Sequence, residues 1–133
     1  MRRPETSGRT GSILAGIAAA FAAALLPLSG AMAQEDKPEV LHCARMAHAV
    51  KSGGFARFGV QLKRYRTVAG FTRVNLAYAG IDSDGAGMSG AFECRYKAAE
   101  VRQGTYKAVA VFVDSGRLTR DALDKYNALV DGQ

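Results

Sequence analysis

The sequence predicts an α+β domain: a small, mainly antiparallel sheet of about four strands, an N-terminal and a C-terminal helix, and one disulfide. Three observations predict it. Val74, Leu76 and Tyr78 alternate with Arg73, Asn75 and Ala77, and Phe92, Cys94 and Tyr96 alternate with Glu93, Arg95 and Lys97, the period of half-buried strands. Helical three- and four-residue spacing appears only before and after such runs. The two cysteines, Cys43 and Cys94, fall one in the first helix and one in a strand.

Residues 1–33 do not belong to that domain. Arg2, Arg3 and Arg9 precede an alanine-rich apolar run from Ile13 to Leu28, and Ala31-Met32-Ala33 is a small-x-small cleavage site. This is the pattern of a signal peptide. Pro27 and Gly30 argue against an uncleaved anchor, so no membrane span is expected after cleavage. The expectation is a periplasmic or secreted protein, in three parts: 1–33 signal peptide, 34–38 polar leader, and 39–133 a single domain. Of the +6 charge of the 133-residue chain, cleavage leaves 15 basic and 11 acidic residues, +4. An exported chain meets an oxidising compartment, where Cys43 and Cys94 are expected to pair. A reactive thiol or a thiolate ligand is the alternative, and it lacks a CxxC.

The first helix is expected from Glu39, with Val40, Ala44, Ala47 and Val50 or Lys51 recurring on one face, and Gly53-Gly54 ending it. Phe58, Val60 and Leu62 mark a strand from about Phe55 to Arg66, followed by a turn near Ala69-Gly70. The two alternating runs then make a hairpin around a long loop, Ile81 to Gly90. Residues 98–104 form a polar connector. Thr105 to Val113 reads as a fourth strand whose apolar run suggests a central position. Asp114-Ser115-Gly116 is a turn, Thr119 an N-cap, and Leu118 a staple on Leu123 for a last helix with Leu123, Tyr126 and Val130 on its apolar stripe.

Three constellations bear on function. Asp82 to Glu93 has Asp at positions one and three, Gly at six and Glu at twelve, as in a calcium-binding loop. Position five is Ala86, which offers no side-chain oxygen, and both flanks read as strands, so Asp82 and Asp84 are read as making local Asx turns. His42, Cys43, Met46 and His48 could suit a soft metal. The plainer account makes Met46 core, the histidines surface residues and Cys43 a disulfide partner. Strand alternation places Lys63, Arg73, Arg95 and Lys97 on the face away from the first helix, with Glu93 among them. That face could meet an anionic partner such as lipid A phosphates, phospholipid or an acidic protein surface, or be an ordinary solvated face.

No GxSxG, HExxH, Walker A or paired-carboxylate pattern occurs, so no enzyme, metal or cofactor is expected. Nucleic acid is an unlikely partner for an exported chain without RNP-type aromatics. The chain resembles a group of small exported bacterial proteins of uncharacterised function, commonest in alphaproteobacteria. The resemblance rests on Cys43-Ala44-Arg45-Met46, Ser52-Gly53-Gly54-Phe55, the strand ending at Tyr78, Gly87 and Gly90, Phe92-Glu93-Cys94-Arg95-Tyr96, and Val113-Asp114-Ser115-Gly116 with Leu118, Leu123 and Asn127. It implies a fold and a disulfide, not an activity. The functional expectation is a non-enzymatic binding or envelope-interaction module whose contact surfaces are the basic face with Arg73, Arg95 and Lys97 and the loop with Asp82 and Asp84. The alternative is an accessory, inhibitor-like or metal-binding protein using the loop from Asp82 to Gly90.

Overall fold

Alternation and helical spacing resolve into two layers in the computed structural model, which describes residue 34 and residues 36–132. Residues 1–33, on which the signal-peptide expectation falls, lie outside them. Helix α1 spans Pro38–Lys51 and continues into a 3-10 turn at Ser52–Gly54. Strands β1 (Arg57–Val68), β2 (Phe71–Ile81) and β3 (Gly87–Lys97) follow, then a short helix α2 (Ala98–Arg102). Strands β4 (Ala110–Val113) and β5 (Gly116–Arg117) and helix α3 (Arg120–Asp131) complete the order. The sheet is antiparallel throughout, in the order β1-β2-β3-β4-β5.

Proline begins α1, one residue earlier than expected, because a missing N–H costs nothing at the first helical position. The helix buries Val40, Cys43, Met46 and Ala47 against Val74, Leu76, Tyr78, Phe92, Cys94 and Tyr96 on the inner face of the sheet. Met46 is therefore core, as its spacing implied. Cys43 and Cys94 are disulfide-bonded, with Cα atoms 5.8 Å apart and a sequence separation of 51. Helix α3 starts at Thr119, whose hydroxyl accepts from the Ala122 N–H at 3.2 Å, and it buries Leu123, Asn127 and Val130.

Several elements differ from expectation for identifiable reasons. Among the described residues the sheet has five strands, against the expected about four, because Asp114 and Ser115, at φ 49° and 73°, make a two-residue turn that returns Gly116–Arg117 against β4. Positive φ at both positions is the pattern of a type I′ hairpin, and Ala69-Gly70 (52° and 81°) repeats it between β1 and β2. The fourth strand is four residues long rather than nine, and it lies between β3 and the two-residue β5 rather than centrally. Asn127 explains the shortening: its side chain accepts from the Ala108 N–H (3.1 Å) and donates to the Ala108 carbonyl (2.9 Å), occupying groups a strand would use. Pairing resumes with the Val109 N–H on the Arg95 carbonyl. The polar connector becomes α2, tied to the sheet by the Ala98 N–H on the Gly70 carbonyl at 2.9 Å. The hairpin strands are longer than expected, so only residues 82–86 remain as loop.

The expected alternation of β1 is interrupted at Lys63. The register shifts between Leu62 and Arg64, leaving Lys63 as a bulge. From there Arg64 pairs with Asn75, Tyr65 with Val74 and Arg66 with Arg73. Arg64 and Arg66 therefore share the outer face with Arg73, and exposed Lys63 lies beside Arg64 at the bulge.

Candidate basic face of the sheet

Each antiparallel register pair points its two side chains to the same side of the sheet. Arg66, Arg73 and Arg95 form one row across β1, β2 and β3, and Arg64, Asn75, Glu93, Phe112 and Arg117 form the next. Lys97 stands beside Phe71 at the end of β3. The three expected residues, Arg73, Arg95 and Lys97, are thus brought together. With Phe71, Val109, Ala110 and Arg117 they line a concavity of about 300 Å³. Sequence alternation missed Arg64, Arg66 and Arg117. The signal for the first two was present: Phe58, Val60 and Leu62 are followed by Tyr65 rather than an apolar residue at 64, a one-residue slip of period.

Phe112 organises the arginines. The Arg95 guanidinium carbon lies 4.4 Å from its ring centroid and that of Arg117 5.9 Å, within cation–π range. Glu93 accepts from Arg95 Nε and, at 2.8 Å, from Asn75 Nδ2. Burial raises the Glu93 pKa, but the hydrogen bonds from Arg95 and Asn75 and the charges of Arg95 and Arg73 outweigh it, holding the carboxyl below its ordinary value. Glu93 therefore stays ionised, and it is the one carboxylate in these two rows. Among the described residues, Arg73 Nε is one of two buried side-chain polar atoms without a hydrogen-bond partner. Val68 and Phe71, at the same end of the sheet, are 41% and 39% exposed.

Asp82 and Asp84 occupy the other end of the β2–β3 hairpin, roughly 30 Å away by strand rise. The Asp82 carboxylate accepts from the Asp84 and Ala86 N–H groups, each at 2.9 Å, making the Asx-type turn expected of it. Both bonds fall on Oδ1, which serves its own loop. Among the described residues no three His, Cys, Asp or Glu side chains are grouped to hold a metal ion, and no helix is long and apolar enough to cross a membrane.

The histidines part company. His48 is exposed, edge-on to Phe58 at 4.9 Å. His42, expected at the surface, is 3% exposed, with Nδ1 2.7 Å from the Tyr96 hydroxyl and Nε2 3.6 Å from an Asp131 carboxylate oxygen. A contact between residues 54 apart has no local sequence signal. Burial pulls its pKa below the ordinary 6.5, with Asp131 opposing and Arg45 adding to the drop. The fold thus favours neutral His42. The stability this gives is whole above pH 6.5 and is lost as pH falls from there through the lower folded pKa. The melting temperature should decline across that window, and His42→Gln should flatten the decline. An equal decline in the variant would assign it to other groups, such as Glu93 and Asp114, whose depressed carboxyl pKa values act at lower pH.

Compared with protein-family models, curated proteins and solved structures, the chain matches none.

Proposed function

We propose that this chain is a non-enzymatic binding module that docks the outer face of its sheet on a phosphate-bearing lipid surface of the cell envelope, the compartment to which residues 1–33 would direct it. One observation carries the proposal: Arg64, Arg66, Arg73, Arg95, Lys97 and Arg117 share a face with a single carboxylate, Glu93, while α1 occupies the opposite face. Such a face attracts anions at long range. Exposed Val68 and Phe71 at its edge favour a lipid surface over an acidic protein, because apolar side chains beside cations suit the boundary between head groups and acyl chains.

The protein should cosediment with vesicles containing phosphatidylglycerol and not with phosphatidylcholine alone, and the binding should weaken with salt. Juxtaposed lysines and arginines contribute about 1 kcal/mol each at an anionic surface, so Arg64→Glu with Arg66→Glu should weaken binding on the order of 100-fold. Both side chains are exposed, so the fold should be unaffected. Equal binding to neutral vesicles, or undiminished binding by the double variant, would overturn the docking proposal. Capture by an acidic protein without binding to anionic vesicles would do the same.

A further inference from the structure

We infer that the concavity between Phe71, Arg73, Arg95, Lys97 and Arg117 is a phosphomonoester subsite, taking the dianionic head group of a lipid. This rests on the docking proposal and gives it a ligand. Charge is the first ground. Arg95 is paired with Glu93, but among the described residues Arg73, Lys97 and Arg117 have no carboxylate within ion-pair distance. Three uncompensated cations around one hollow suit a doubly charged group better than the single charge of a phosphodiester.

Preorganisation is the second. Arg95 and Arg117 are both held against the Phe112 ring, so part of the entropy of ordering them is already spent. Their planar forks match pairs of phosphate oxygens, whereas Lys97 offers a point charge. The third is an orphaned donor. Arg73 Nε is buried with no acceptor, a costly state for a charged group that a phosphate oxygen would relieve once the guanidinium turned toward it.

Size and surroundings set the rest. About 300 Å³ accommodates a head group and not an acyl chain. The apolar lining, Phe71, Val109 and Ala110, lowers the local dielectric and strengthens each ionic contact. Exposed Val68 and Phe71 lie where the tail of the bound lipid would remain in its bilayer.

The test compares vesicles of phosphatidic acid, a monoester, with phosphatidylglycerol, a diester, at matched surface charge. Binding to phosphatidic acid should be tighter by roughly 5- to 10-fold, the discrimination expected of about one extra charge-assisted contact. Arg73→Lys keeps the charge but loses the fork, so it should abolish the preference while retaining phosphatidylglycerol binding, with an unchanged melting temperature. Equal binding to both lipids by the wild-type protein would overturn the subsite and leave the docking proposal standing. Binding to neither would overturn docking itself. Inorganic phosphate forms the last arm: binding of free phosphate by the protein without binding to phosphatidic acid vesicles would show that the hollow takes free phosphate, overturning a lipid ligand. A preference that survives in Arg73→Lys would overturn the role given to Arg73.

Discussion

Replacing Cys43 and Cys94 together with alanine should lower the melting temperature by roughly 15–30 °C. The cross-link joins residues 51 apart, and closing a loop of that length removes denatured-chain entropy worth on the order of 4 kcal/mol. In a domain of about 100 residues each kcal/mol is worth ~4–8 °C. Both cysteines are fully buried between α1 and the sheet, so the variant also leaves space where two sulfur atoms packed. Helix α1 is the element most exposed to the loss. It supplies Val40, Met46 and Ala47 to the core, and without the staple packing and hydrogen bonds such as His42 to Tyr96 are left to hold it down. Thermal melts with and without reductant check the same point on the wild-type chain. A double variant melting within about 5 °C of wild type would show that non-covalent contacts alone fix the helix.

Gly90→Ala should cost about 3 kcal/mol, an unusually large effect for adding one methyl group. Gly90 pairs with Tyr78 across β2 and β3, and the tyrosine crosses over it to Asp114. The phenol donates to Asp114 Oδ2 at 2.5 Å, while Asp114 Oδ1 accepts from the Ala91 N–H at 2.9 Å. A Cβ at position 90 would collide with Asp114 Oδ1 and come within 2.6 Å of the Tyr78 ring. It could be accommodated only by displacing a buried aromatic ring from Phe58, on which it stacks with centroids 5.8 Å apart. Burial and then the Asp114 carboxylate push the Tyr78 pKa up to about 12, so the donor stays protonated throughout the neutral range. Urea denaturation of Gly90→Ala beside Gly87→Ala checks this. Position 87 has nothing within 4 Å of a new Cβ, so its variant should stay within about 0.5 kcal/mol of wild type. Equal stability of the two variants would remove the Tyr78 crossing as the cause.

What was legible in the sequence was what local period controls. Strands β2 and β3 announced their faces because residues 72–78 and 92–96 alternate without interruption, and they bury as the alternation says. Thr119 announced α3 because an N-cap acts on its own backbone. The partnership of Cys43 with Cys94 followed from there being only two cysteines in a chain expected to be exported. What stayed hidden depended on contacts between distant residues. Thr105 to Val113 reads as one strand until Asn127, from another element, takes the backbone of Ala108. His42 resembles a surface residue until Tyr96 meets it. The basic face was half legible: Arg73, Arg95 and Lys97 follow from alternation, whereas Arg64 and Arg66 depend on the bulge and Arg117 on a two-residue strand.

The bulge at Lys63 has a second effect, on self-association. Among the described residues strand β1 lies at the margin of the sheet, and its 12 residues present one row of backbone donors and acceptors to no other described strand. A flat margin of that length is a template on which a second chain can add and start a fibril. Lys63 breaks its regularity midway, and Arg57, Arg64 and Arg66 set like charges against any identical strand approaching it. The irregularity that aims two arginines outward thereby also guards the protein against polymerising through its own edge.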